Sequence, residues 1–281
     1  MDKVTALQEN LERIEGEIAA ACRRAGRARS EVELMAVSKT FPAEAIIEAS
    51  TLGLTLFGEN RVQEFANKAN AIAALRQLAI NNGYPILSAG SRREDADRVG
   101  DHSSQPASLR VHLIGHLQSN KAARAAELFD AVDSVDSLRL AERLNEASAK
   151  LGKHLPILIE VKLSPEETKA GLDPESPDAA TLLERLPDLE NLEVQGLMTI
   201  APWGVAEDVT RQCFRSLRAW QDKWSAAHPR LNLHVLSMGM SADFELAIAE
   251  GATRVRIGTA LFGKRPPIAV QLKQFPEESG E

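Results

Sequence analysis

The sequence has little cysteine, no long apolar run and no excess of positive charge. Its two cysteines, Cys22 and Cys213, make no C-x-x-C pair and no disulfide framework, which points to a reducing cytoplasm. No apolar run reaches 18 residues, so no membrane span is expected. The opening stretch, MDKVTALQENLERIEGEIAAACRRAG, carries charge throughout and does not read as a signal peptide. Lys and Arg number 33 against 40 Asp and Glu, a formal charge of −7. A general nucleic-acid surface needs the opposite balance, although one basic pocket for a small anion stays compatible with it. No G-x-G-x-x-G follows the first apolar run, which weighs against a doubly wound dinucleotide fold.

What is present is a rhythm. Residues 4–25 have Val4, Leu7, Leu11, Ile14 and Ile18 near helical spacing. Short apolar strands follow at 33–38, 54–58, 110–115, 128–135, 156–163, 193–200, 233–239 and 253–258. Amphipathic helices fill 42–52, 60–80, 118–127, 137–150, 176–186, 207–227 and 241–250. Alternating strand and helix implies a parallel sheet covered by helices. Eight such strands close a barrel with every edge paired. The expected fold is therefore an α/β chain of the (β/α)8 TIM-barrel type with an extra N-terminal helix. One domain is expected over 1–268, with a surface insertion at 81–109 and a disordered tail at 269–281. The mixed-sign stretch SRREDADR within the insertion reads as solvated surface.

In a barrel the chemistry sits at the C-terminal ends of the strands. Ser38, Lys39 and Thr40 follow the first strand, and Glu59, Asn60 and Arg61 the second. His116, Gln118, Ser119, Asn120 and Lys121 follow the third. After the seventh strand, MGMSADFELAI offers Ser241 as a helix cap and Gly239 for close backbone approach to an anion. After the eighth come Gly258 and Thr259, in the loop position that commonly holds phosphate. A lone lysine at a strand end is ordinarily a snorkelling surface residue. Beside a phosphate cup it suggests a Schiff base with a phosphorylated aldehyde, and pyridoxal 5′-phosphate (PLP) has both parts. Three functions fit: a non-catalytic PLP carrier, a PLP-dependent amino-acid racemase-like enzyme, and a Schiff-base aldolase that uses no cofactor.

The segments LMAVSKTFPAEAI, FGENRVQE, HLIGHLQSNK, KLSPEETKAGL, GLMTIAP and LSMGMSADFELAIAEGATRVRIGTALFG together resemble the pyridoxal phosphate homeostasis protein family. The resemblance implies a single barrel similar to the N-terminal domain of alanine racemases, with PLP bound through Lys39. It implies that Ser241, Gly258 and Thr259 hold the phosphate, that Arg256 faces the pyridine nitrogen, that Asn60 lies near the cofactor and that Ser237 lines the cup. The implied role is to carry or buffer PLP in vitamin B6 and amino-acid homeostasis without strong catalysis. PLP-dependent apoenzymes are the implied recipients, and a monomer is expected rather than a dimer. The sequence departs from the family at His116, which replaces a proline, at Arg61, which replaces a tyrosine, and in KLSPEETKAGL.

Strand-eight alternation puts Arg254 and Arg256 on one face, and Arg256 is the nearer to Gly258 and Thr259. Guanidinium only donates, so facing the ring nitrogen it would keep that nitrogen unprotonated and the cofactor weakly reactive. An interior arginine paired with a carboxylate is the plainer reading. In related racemases a tyrosine from a second domain supplies the other base. Here the chain ends about two dozen residues after its eighth strand, and its only tyrosine, Tyr84, falls in the insertion. Lys121 and Lys169 are candidate rim lysines for cofactor transfer. His112 and His116 have H-x-x-x-H spacing, but Gly115 interrupts it and no metal site is expected. Met198, Met238 and Met240 read equally as pocket lining or core filler.

Overall fold

The structure, a computed structural model, describes residues 3–81, 109–164 and 170–263. Residues 82–108 of the expected insertion, with SRREDADR and Tyr84, lie outside these, as do Lys169 and the tail. Eight strands close into a parallel barrel in chain order. They are β1 (Glu33–Val37), β2 (Leu56–Glu59), β3 (Arg110–Leu113), β4 (Ala131–Val135), β5 (Leu155–Glu160), β6 (Leu192–Met198), β7 (Val235–Met240) and β8 (Arg254–Ile257). The helices are α1 (Lys3–Arg24), α2 (Ala43–Thr51), α3 (Val62–Asn81), α4 (Ala122–Leu128), α5 (Leu138–Lys150), α6 (Pro177–Arg185), α7 (Glu207–Ala227), α8 (Phe244–Ala249) and α9 (Thr259–Phe262). Among the described residues no helix is long and apolar enough to cross a membrane.

Alternation along the strands separates two environments. One set, including Leu34, Ala36, Phe57, Val132, Ile157 and Ile257, joins the large apolar layer between sheet and helices. The other set fills the barrel with two small apolar clusters, Met35–Val37–Leu56–Ile114 and Leu158–Met198–Val235. Beside these clusters the interior is polar, with His112, Asp133, Glu160, Ser237, Arg254 and Arg256 all buried. α1 is the extra helix. It buries Ile14, Ile18 and Cys22 and is tied to α9 by Asn10, whose amide donates to the Leu261 carbonyl at 3.0 Å.

Several boundaries differ from the sequence reading, each for a local reason. Pro42, which lacks an N–H, precedes α2 as its N-cap and does not open it. A 3-10 turn over Ser119–Lys121 stands where an α-helical start at 118 is expected. α8 begins at Phe244 with Asp243 as its N-cap residue, so Ser241 does not cap it. Asp243 Oδ1 instead accepts the Met240 N–H at 2.5 Å, closing a turn that carries Ser241. Gly239 also serves packing. Its φ is +91°, and a Cβ there would meet Ala247 Cβ at 2.5 Å and Phe244 Cα at 2.9 Å. The missing side chain therefore lets α8 close on β7, a packing role beyond the one read from the sequence.

Candidate functional site at the barrel mouth

Lys39 follows β1 and stands on the wall of two adjoining cavities, of ≈ 370 Å³ and ≈ 750 Å³, both shared with Asn60. The smaller is also lined by Gly115, His116, Glu160, Lys162 and Ile200. Asn60 is set by Gly115, where a Cβ would lie 2.2 Å from the Asn60 carbonyl oxygen. β1 and β8 are paired, with Ala36 opposite Ile257, so Lys39 and Gly258 leave neighbouring strand ends. Phe41, two residues beyond Lys39, packs on Phe262 of α9 with ring centroids 5.1 Å apart. Intrahelical bonding in α9 begins with Leu261 and Phe262, which donate to the Gly258 carbonyl. The amides of Thr259 and Ala260 precede those bonds, as the first amides of a helix do.

A buried clamp brackets Lys39. Lys68, on α3, donates to both Glu59 oxygens at 2.9 and 3.1 Å and to Glu64 at 2.8 Å. It also donates to the Ser38 carbonyl at 3.2 Å, on one side of Lys39. On the other side, Glu64 accepts the Thr40 N–H at 2.5 Å. Thr40 has φ +70°, a left-handed conformation that a β-branched residue adopts only when its surroundings impose it. Its Oγ1 is buried with no hydrogen-bond partner among the described residues. Burial pushes the Glu59 carboxyl above its ordinary value, against the opposing pull of Lys68.

Arg256 lies inside the barrel. Its guanidinium donates to the Ser237 carbonyl at 2.7 Å, to Ser237 Oγ at 2.8 Å and to the Thr199 carbonyl at 2.8 Å. Burial lowers its pKa, while Asp133, Glu160 and Asp243 favour its charge. Ser237 is fully buried and serves as this arginine's support. Carboxylate pairing inside the barrel belongs to Arg254, which meets Glu33 and Asp133. Of the remaining candidates among the described residues, His116 alone lines the smaller Lys39 cavity. Lys121 is exposed on its 3-10 turn. His112 pairs with Asp133 and His116 with Asp136, so the two histidines share no partner. Met198 and Met238 are fully buried core. Cys22 and Cys213 are buried in α1 and α7 and form no disulfide.

The model of the alanine racemase N-terminal domain matches residues 9–266. The pyridoxal phosphate homeostasis protein of Vibrio cholerae is 39% identical, over 92% of this chain and 97% of its own. The chain belongs to the pyridoxal phosphate homeostasis protein family. Another relative, PipY of Synechococcus elongatus, solved with PLP bound, is 38% identical with a TM-score of 0.71, over 92% of this chain and all of its own. Alanine racemase of Clostridium difficile shares the fold at 16% identity and a TM-score of 0.65.

Two features of this family member escaped the sequence reading. The Glu59–Lys68–Glu64 clamp was signalled only by a Glu-to-Lys spacing of four on α3, which ordinarily marks a solvated face. Glu160 was signalled by a carboxyl within the apolar run PILIEVKL. It is 5% exposed, and its Oε2 has no hydrogen-bond partner among the described residues.

Proposed function

We propose that this chain binds pyridoxal 5′-phosphate as a Schiff base on Lys39 and carries or buffers it, without strong catalysis, for PLP-dependent apoenzymes. The observation that carries the reading is Lys39 on the wall of a cavity at the barrel mouth, in a chain 38% identical to a protein solved with PLP bound. The cavity suits the cofactor. Glu160 Oε2 is a buried polar atom without a hydrogen-bond partner among the described residues, and Asn60, His116 and Lys162 add polar groups to a wall that also carries Ile114 and Ile200.

Each residue then has a task. Lys39 supplies the amine, and the clamp of Lys68, Glu59 and Glu64 fixes the backbone on both sides of it. The Thr259 and Ala260 amides, with the hydroxyls of Thr259 and Ser241, would receive the phosphate beside Gly258. Asn60 would contact the cofactor. Arg256, anchored by Ser237 and Thr199, would present a donor to the pyridine nitrogen and keep it unprotonated. When bound, PLP supplies an aldehyde for amines and an electron sink that an unprotonated ring weakens.

The purified chain is expected to absorb in the near-ultraviolet or visible, and borohydride should fix the cofactor to Lys39 in a peptide map. Lys39→Ala should lose that adduct. An adduct of equal yield on another lysine of the variant would overturn the assignment. Loss of α-deuterium from L-alanine at about 1 s⁻¹ or faster would overturn the non-catalytic role.

A further inference from the structure

Glu160 ends β5 inside the barrel, on the wall of the cavity that Lys39 also lines. An unpartnered buried polar atom destabilises the fold, and such an atom is tolerated where a ligand or a proton transfer uses it. The charged groups around it come from five directions. Arg256 of β8 favours its charged form and Asp136, beyond β4, opposes it. His116, beyond β3, holds Asp136 at 3.2 Å and lines the same cavity. Lys39 and Lys162, beyond β1 and along from Glu160 itself, complete the wall. Burial and then Asp136 push the Glu160 carboxyl up to about 7, against the pull of Arg256. A carboxyl half-protonated near neutrality both gives and takes a proton.

We propose that Glu160 is the acid–base residue that speeds capture and release of an aldehyde at Lys39. This rests on Lys39 being the attachment point. In capture, the Lys39 nitrogen adds to the aldehyde carbon, a C=N bond replaces C=O, and the oxygen leaves as water. Both protons of that water come ultimately from the amine. Glu160 gives one to the departing oxygen and recovers one from the nitrogen, so its own charge is unchanged at the end. Release runs the same steps backward, with water returning the oxygen. No oxidant or reductant takes part.

A residue in this role speeds both directions and leaves the equilibrium where it was, whereas a simple contact changes affinity. The test compares wild type, Glu160→Gln, Glu160→Asp and Lys39→Ala, each stripped of cofactor. Capture of PLP is followed by stopped-flow absorbance between about pH 6 and pH 9. Release is followed by chasing labelled PLP with unlabelled PLP. Glu160→Gln should slow both by about 100-fold with little change in Kd, and Glu160→Asp should recover part of the rate. Without any cofactor, the infrared carboxylic acid band of the wild type should titrate near neutral pH and be missing from Glu160→Gln. Wild-type exchange rates in Glu160→Gln, or a loss confined to affinity, would overturn the inference alone if Lys39→Ala no longer captures PLP. Capture by Lys39→Ala equal to wild type would overturn the attachment reading and this inference with it.

Discussion

Glu160 is a stability liability as well as a site residue, and the sign follows from its proton. Its unfolded value is 4.5 and its folded value about 7. Between these the native chain holds more protons than the unfolded one, so stability falls as pH rises through that window. Above it the penalty is complete, at most about 3 kcal/mol for a shift of this size. Cofactor-free Glu160→Gln should therefore be more stable than wild type at pH 8, and the gap should narrow by pH 5. Urea unfolding at both values checks this, and an equal gap at the two would show that Glu160 does not titrate as described. Lys68 illustrates the opposite arrangement, a buried charge matched by Glu59 and Glu64.

Among the elements that build the mouth, the β7–α8 junction is tightly constrained. Gly239 has φ +91° and would place a Cβ 2.5 Å from Ala247 Cβ. Gly239→Ala should push α8 off β7 and cost about 3 kcal/mol, combining overpacking with backbone strain. Gly152, at φ +62° with nothing within 4 Å, is the control. Gly152→Ala should cost only about 1 kcal/mol. Comparing the two denaturation midpoints separates steric contact from backbone strain, and equal losses would remove the packing role. The strands and long helices were legible from their apolar periods. The start of α8 was not, because SAD holds two good capping residues and only the Met240–Asp243 turn decides between them. α9 was missed because four residues carry no period to read.

One chain of charges runs through the barrel, from a solvent-exposed end at Arg110 and Glu33 to a buried end at Arg254, Asp133 and His112. Arg110 meets Glu33 at 2.7 Å, Glu33 meets Arg254 at 2.8 Å, Arg254 meets Asp133 at 3.3 Å and Asp133 meets His112 at 3.0 Å. It links β3, β1, β8 and β4. Burial would raise the Asp133 pKa, but His112 and Arg254 outweigh it and hold the carboxyl below its ordinary 3.8. The stability it contributes is present above 3.8 and is lost as pH falls through the lower folded value. Asp133→Ala, which leaves His112 without its carboxylate and Arg254 with Glu33 alone, should cost about 3 kcal/mol near neutral pH. Circular dichroism during an acid titration should show a smaller wild-type advantage once Asp133 is protonated. An undiminished difference at the acid end would assign the cost to packing alone.

The amino-acid order by itself determined the alternation of strand and helix, the barrel, Lys39 at a strand end and the family motifs, because each is written in local period or contiguous residues. Tertiary structure decided which partner each buried polar group meets. Arg254 and Arg256 share a strand face and similar chemistry, yet one finds carboxylates and the other finds carbonyls. Glu59 and Glu160 both end strands, yet one meets Lys68 and the other lines an open wall beside Lys39. These differences depend on which strands closure of the barrel sets side by side or across the interior, and no local pattern encodes that distance.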